Sequence, residues 1–165
     1  FFYPVSMVGS HVSAAPNHQT GRVTSFMTRG HVALSGSFGY ELDLNKVSEE
    51  EQALVKEQIG QFHQYYDLIH EGDYYRISPP GGRFCAWEFV DRQKAHALLT
   101  LVMTSAEGNP VPVHTTVKGL DANRQYRCSY DNSIKSGKSW MNGGLTLGKA
   151  LTEYESLLIT WEAVE

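Results

Sequence analysis

The sequence feature that most constrains the fold is a change in hydrophobic periodicity near Gly72. Before this glycine, segments of helical periodicity alternate with short apolar runs. After it, apolar and polar residues alternate one by one. A period of about 3.6 is typical of helices that bury one face, and a period of two is typical of half-buried strands. We therefore predict an α/β region over residues 1–72 and an all-β region over residues 73–165.

The clearest single element is a helix over residues 48–70. Ser48 and Glu51 form a capping box, in which each side chain can accept a hydrogen bond from the backbone N–H of the other residue. Gly72 is placed to end the helix in the left-handed conformation. The helix carries one apolar stripe at spacings of three and four, made of Val55, Ile59, Phe62, Tyr66 and Ile69.

The α/β region reads as two strand-and-helix units. Residues 5–12 predict a first strand, residues 24–34 a short helix, and residues 35–44 a loop and a second strand. This order implies parallel strands joined by crossover helices. Two such units cannot close a sheet or cover both of its faces, and the chain opens abruptly on an apolar segment. We therefore expect this region to form the last units of a (β/α)8 barrel, a fold that needs about 250 residues.

The all-β region contains short apolar runs separated by turns rich in glycine, proline and asparagine. Short strands at such regular intervals indicate an antiparallel sandwich or barrel, and we predict an antiparallel β-sandwich. Cys85 and Cys128 lie in predicted strands, where buried free thiols are the favoured interpretation, although a disulfide between them stays open. The predicted strands span residues 85–90, 97–103, 111–118, 125–130 and 157–161.

Composition excludes several classes of function. The chain has 14 Lys and Arg against 18 Asp and Glu, and it contains no basic block, so no nucleic-acid partner is expected. No segment approaches the roughly 20 apolar residues of a membrane span, so no membrane partner is expected either. The 2 cysteines have no metal-ligand spacing, and so few cysteines agree with a reducing cytoplasm.

Candidate site residues follow the first predicted strand. His11, Asn17 and His18 fall where a barrel would place its functional face. They either line a substrate pocket or form hydrogen bonds that fix an irregular loop. No third ligand is spaced for a metal site, and no G-x-S-x-G nucleophile elbow occurs. A hydrolase that uses His11 or His18 with an unrecognised nucleophile remains as a further alternative.

Two other groups of residues have both a functional and a structural interpretation. Glu41 and Asp43 share one side of the second predicted strand, as paired glycosidase carboxylates can, but such pairs usually come from different strands. We therefore interpret them as residues at a strand exit.

The aromatic residues of the all-β region are expected in its core, with Trp140 as the exception, because it lies in a segment rich in Ser, Gly and Asn. An exposed Trp140 beside Tyr130 would favour a non-catalytic carbohydrate-binding module.

The stretch YPVSMVGSHVSAAPNHQTGR, residues 3–22, resembles the bacterial α-galactosidases of glycoside hydrolase family 36. TRGHVA at residues 28–33 and GYELDL at residues 39–44 are similar to the next family stretches, and VKGLD at residues 117–121 is similar to the C-terminal β domain. The resemblance implies a β-supersandwich, a (β/α)8 barrel and a C-terminal antiparallel β domain. Residues 1–72 would supply the end of the barrel, and residues 73–165 the β domain.

The resemblance also implies an activity, which is hydrolysis of terminal α-galactosides such as melibiose and raffinose. The family uses a retaining double displacement between two aspartates, without a metal or organic cofactor. Neither the Lys-x-Asp motif of the nucleophile nor the Asp-rich motif of the acid/base occurs in this chain. We therefore assign no catalytic residue and expect the 165-residue chain alone to be inactive. The full-length parent is expected to bind α-galactoside oligosaccharides as a cytoplasmic homo-oligomer.

Overall fold

The computed structural model describes residues 3–164, so the Phe1-Phe2 opening lies outside the described residues. The chain divides into two compact units, Phe1–His70 and Glu71–Glu165. This division falls two residues before the boundary that the change in periodicity predicts. The fold class expected from the sequence, α/β followed by all-β, is confirmed by the strand pairings in each unit.

The first unit is built from parallel strands and the helices that follow them. Its elements in chain order are a 3₁₀ turn (Val5–Met7), β1 (Gly9–Ser13), α1 (Phe26–Ala33), β2 (Ser37–Glu41), a second 3₁₀ turn (Leu44–Lys46) and α2 (Glu49–Glu71). The strands pair in parallel, with Gly9 opposite Ser37 and Ser13 opposite Glu41. The predicted strand–helix–strand–helix order is therefore confirmed. The first strand begins later than predicted, because backbone bonds from Met7 to Pro4 and from Val8 to Val5 close a turn.

Local capping explains where the two helices begin. The N–H of Thr28 donates to the Ser25 hydroxyl at 3.1 Å at the start of α1. At the start of α2, the N–H of Glu51 donates to the Ser48 hydroxyl at 3.2 Å, and the N–H of Ser48 donates to Glu51 Oε2 at 3.1 Å. The predicted capping box is thus confirmed. The predicted left-handed cap at Gly72 is wrong, because the chain passes directly into a strand that begins at Asp73 and needs extended backbone.

A buried glutamine replaces the all-apolar contact expected for α2. Gln58 is 3 % exposed, and its amide donates to the Phe26 carbonyl at 3.1 Å and accepts from the Tyr40 hydroxyl at 2.9 Å. Two members of the predicted stripe, Ile59 and Tyr66, are instead 40 % and 47 % exposed. The prediction of one buried apolar stripe is therefore wrong at these positions. The core of this unit consists of Val12, Phe26 and Ala33, with Phe38, Tyr40, Leu42, Val47, Leu54 and Val55 packed against them.

The second unit is antiparallel in every strand pairing of its described residues. The elements are β3 (Asp73–Arg76), β4 (Phe84–Val90), β5 (His96–Met103), β6 (His114–Thr115), β7 (Gln125–Cys128), β8 (Ile134–Ser136), α3 (Gly137–Gly143), β9 (Leu145–Thr146) and β10 (Ser156–Val164). The strands form a sheet in the order β3-β4-β5-β10-β7-β8 and a smaller β6-β9 pair. The predicted strand over residues 111–118 is much shorter, since only two of its residues pair with β9.

Aromatic side chains fill the core of the second unit. Trp140 and Trp161 are both fully buried and meet edge to face, with ring centroids 5.8 Å apart. The Trp140 indole N–H donates to the Tyr126 carbonyl at 3.1 Å. The predicted aromatic core is confirmed for Trp161 and Tyr126, whereas Trp87 and Tyr74 are only partly buried and lie outside it. The placement of Trp140 in an exposed loop is wrong. Residues 137–143 form the short helix α3, which turns the indole inward.

The two cysteines differ in their surroundings. Both are free thiols, and Cys128 is buried whereas Cys85 is exposed. The prediction that both thiols are buried is therefore wrong for Cys85. On β4, Ala86 and Val90 point into the core of the second unit, so Cys85 falls on the other face of the strand. No helix among residues 3–164 has the length and apolar character to cross a membrane.

Candidate functional site

The candidate site lies on one face of the parallel pair β1–β2, near the carboxyl ends of the strands. Successive residues of a strand point to opposite faces. Val12, Phe38 and Tyr40 pack in the core with α1, so their neighbours lie on the face away from that helix. This second face carries His11 opposite Gly39 and Ser13 opposite Glu41. Ligands of parallel α/β folds bind at the carboxyl ends of the strands, which makes this edge the natural place for a site.

His11 and Glu41 meet across the two strands. The imidazole Nε2 lies 2.5 Å from Glu41 Oε2, and the two side chains are 50 % and 73 % exposed. A Cβ built at Gly39 or at Gly9 would meet no other described atom within 4 Å, so the space beside this pair is open. With one ring nitrogen engaged by a carboxylate, the imidazole can present the other nitrogen to a ligand.

Asn17 organises the loop that follows β1. Its side-chain oxygen accepts from the N–H groups of Gln19 and Thr20 at 3.1 and 3.0 Å, and from the Thr20 hydroxyl at 3.1 Å. The backbone closes the same turn through the N–H of Asn17 and the carbonyl of Arg22, 2.8 Å apart. These bonds support the loop-fixing interpretation for Asn17. His18 is exposed in this turn, and a pocket-lining role for the three residues stays a prediction.

Arg29, which the sequence analysis did not single out, anchors both ends of this loop. Its Nη1 donates to the Ser13 carbonyl at the end of β1, and its Nε donates to the Thr24 carbonyl at 3.1 Å. Its Nη2 lies 3.7 Å from Glu51 at the start of α2. Burial lowers the pKa of the Arg29 guanidinium, and Glu51 opposes that shift. Arg29 therefore joins the Asn17 turn in fixing the loop that follows β1, and its signal in the sequence is the TRGHVA stretch.

The two carboxylates at the end of β2 and just beyond it have separate partners. Glu41 is the last residue of β2 and pairs with His11. Asp43 lies beyond the strand, and its side chain accepts from the N–H of Asn45 at 3.0 Å to cap a 3₁₀ turn. The expectation that both share a strand is wrong, although Asp43 does serve at the strand exit. Among residues 3–164, no group of three or more His, Cys, Asp and Glu side chains is arranged to hold a metal ion.

Two family models match the chain in consecutive parts. The Melibiase model matches residues 1–72, and the model of the glycosyl hydrolase family 36 C-terminal domain matches residues 84–160. The chain belongs to glycoside hydrolase family 36. The first model covers the motifs at residues 3–44, and the second covers the motif at residues 117–121. The family expected from the sequence is therefore confirmed.

Family 36 proteins of known activity align with nearly the whole chain. It is 44 % identical over 157 residues to the bifunctional alpha-galactosidase/sucrose kinase AgaSK of Mediterraneibacter gnavus. It is 39 % identical over 164 residues to alpha-galactosidase AgaA of Geobacillus stearothermophilus. These alignments cover 94 % and 99 % of this chain but only 17 % and 22 % of the two relatives. The chain therefore spans about a fifth of the length of the curated relatives that it matches.

Solved structures of the family share the fold. The galactosidase domain of AgaSK superposes with a TM-score of 0.94 at 41 % identity, covering 99 % of this chain and 23 % of that one. The crystal structure of AgaA gives a TM-score of 0.93 at 39 % identity, covering 98 % and 23 %. These matches confirm the predicted fold class, the last units of a (β/α)8 barrel followed by an antiparallel β-sandwich.

Proposed function

We propose that the chain is the C-terminal part of a retaining α-galactosidase that hydrolyses terminal α-galactosides of the melibiose and raffinose type. The observation that carries this proposal is the similarity of 98–99 % of the chain to solved α-galactosidases of the family. Crystal structures of AgaA variants in complex with raffinose and with stachyose support oligosaccharide substrates. In this proposal, the reacting carboxylates belong to the longer polypeptide, because this chain lacks both aspartate motifs of the family.

The proposal assigns a role to each part of the chain. Residues 1–72 complete the catalytic barrel, and residues 73–165 form the β-sandwich domain that follows it. His11, Asn17 and His18 contribute to the rim of the substrate pocket, which is supported by the position of β1 and its loop at the carboxyl edge of the parallel sheet. A cytoplasmic location is supported by the free thiols Cys85 and Cys128. The full-length parent is proposed to be a homo-oligomer.

The alternative function, a carbohydrate-binding module, depended on an exposed row of aromatic rings. Trp140 is fully buried in the core of the second unit. Tyr130 is partly buried, and its hydroxyl accepts from the N–H of Gly148 at 2.9 Å. The two residues therefore do not form the stacking platform that this alternative requires, and the α-galactosidase proposal is favoured.

The proposal is tested by comparing two purified proteins, the 165-residue chain and the full-length polypeptide that contains it. We expect the longer protein to release galactose from an aryl α-galactoside and from raffinose, with the α-anomer formed first in an NMR time course. The 165-residue chain is expected to show no turnover. Turnover by the shorter chain would contradict the proposal that the reacting carboxylates belong to the longer polypeptide. A longer protein inactive on every α-galactoside would overturn the proposed activity itself.

A further inference from the structure

We propose that His11 and Glu41 form a subsite for a saccharide hydroxyl, in which Glu41 orients the imidazole and His11 contacts the sugar. This inference rests on the proposed function and deepens it. It names a contact atom, Nδ1 of His11, and a positioning residue, Glu41.

The contact between the two side chains fixes which ring nitrogen of His11 faces Glu41. Nε2 lies within hydrogen-bonding distance of a Glu41 carboxylate oxygen, at 2.5 Å, so it carries the proton that it donates. The remaining ring nitrogen, Nδ1, can then face a ligand, as an acceptor in the neutral ring or as a donor in the imidazolium. A saccharide hydroxyl both donates and accepts, so it can satisfy this nitrogen. A carboxylate behind a histidine is how proteins orient an imidazole toward a ligand, as at metal sites.

Space for a ligand exists beside this pair. Gly39 lies opposite His11 in the strand register, and Gly9 precedes His11 by two positions on the same face. A side chain at either glycine would project from this face, and the position of its Cβ is free of described atoms within 4 Å. Within the described part of this chain, a hydroxyl group can therefore approach from the side of these glycines without displacing other atoms.

The surroundings hold the pair in place, as a subsite requires. Arg29 binds the carbonyl of Ser13 at the end of β1, and the Asn17 turn closes the loop that leaves this strand. His11 is the third of the five residues of β1, and Glu41 is the last of β2. In barrels, the residues that touch substrate come from the carboxyl ends of strands. Glu41 lies at this end of β2, and His11 lies two residues before the end of β1.

The test uses the full-length polypeptide and compares four variants: His11→Ala, Glu41→Gln, the double variant and His96→Ala. His96 is the matched control, because its exposed imidazole contacts the partly buried Asp91 carboxylate at 2.8 Å in the second unit. We expect kcat/KM for an α-galactoside to fall about 5- to 10-fold in each single variant, as the loss of one hydrogen bond predicts. The double variant should fall no further than His11→Ala, because Glu41 acts through His11. His96→Ala should stay within about 2-fold of the wild type.

Chemical rescue separates a role in binding from a role in folding. Imidazole added to His11→Gly should restore part of the lost kcat/KM, and it should restore less when Glu41→Gln is also present. If the wild type is active but every variant matches His96→Ala, or if the losses in the single variants add in the double variant, the subsite is wrong while the α-galactosidase function stands. If the wild type neither hydrolyses α-galactosides nor binds galactose in a titration, the proposed function fails and the subsite fails with it.

Discussion

The Glu88 carboxyl group accepts a hydrogen bond from the backbone N–H of Lys118 at 2.8 Å while it is fully buried in the second unit. Among the described residues, its other oxygen, Oε1, has no hydrogen-bond partner. Burial raises the pKa of Glu88 to about 8, and the bond from Lys118 offsets only part of that shift. The side chain is therefore mostly neutral at pH 7, and it fastens the segment at Lys118 to β4.

This arrangement predicts that the second unit loses stability as the pH rises. In the unfolded chain Glu88 loses its proton near its ordinary pKa of 4.5, but in the folded chain it keeps the proton until about pH 8. Between these values the folded state binds more protons, so the free energy of unfolding falls by up to about 1.4 kcal/mol per pH unit. Above pH 8 this contribution is constant. Urea unfolding at pH 5 to 9 measures it through tryptophan fluorescence, because all 3 tryptophans lie in the second unit.

The control for this prediction replaces one glutamate at a time. Glu88→Gln should remove most of the slope between pH 5 and 8, because the amide does not titrate. The exposed Glu162 on β10 provides the matched variant, and Glu162→Gln should keep the slope. Tyr75 lies opposite Glu88 in the register, and its raised pKa puts its titration above this window. An unchanged slope in Glu88→Gln would show that other groups cause the pH dependence.

The conformation of Gly119 provides a second prediction. Its φ is +74°, and a Cβ at this position would lie 2.5 Å from the Tyr75 ring. Gly119→Ala combines left-handed strain with a clash, so we expect a loss of about 2–4 kcal/mol of stability in urea unfolding. Gly81 has a similar φ of +76°, but its Cβ would meet no described atom within 4 Å. Gly81→Ala should therefore cost only the strain, about 1–2 kcal/mol. Equal losses in the two variants would contradict the clash with Tyr75.

The loop after β1 yields a prediction about local mobility. Asn17→Ala removes the acceptor for the N–H groups of Gln19 and Thr20, so these amides should exchange with solvent about 10-fold faster in hydrogen-exchange measurements. Asn17→Asp keeps an acceptor oxygen at the same place and should exchange like the wild type. If Asn17→Ala exchanges at the wild-type rate as well, the backbone bonds alone hold this turn.

Local signals in the sequence identified the parts of the fold that depend on neighbouring residues. The Ser48–Glu51 capping box and the parallel order of the strands both follow from short-range patterns, and both are present. The predicted exposure of Trp140 differs from its observed burial because that burial depends on helix α3. The Ser, Gly and Asn residues of α3 have low helix propensity, and packing holds them in the helix. The partnership of His11 with Glu41 depends on the register of two strands 28 positions apart, since Gly9 pairs with Ser37. No spacing rule within one strand gives that register.

The last prediction concerns the buried amide that links the elements of the first unit. Gln58 donates to the Phe26 carbonyl of α1 and accepts from the Tyr40 hydroxyl of β2, and it lies against Gly30, where a Cβ would collide with its amide. Gln58→Ala removes the bond to the Phe26 carbonyl and leaves the Tyr40 hydroxyl with only a longer bond, 3.4 Å, to the Val55 carbonyl, so we expect it to destabilise the first unit by about 1–3 kcal/mol. Hydrogen exchange of the α1 amides measures this loss, and Gln64→Ala, at an exposed position of the same helix, is the control. Gly30→Ala should lower protection of the same amides, because it displaces Gln58. If Gln58→Ala leaves their exchange unchanged while Gly30→Ala accelerates it, packing rather than hydrogen bonding holds α1 to α2.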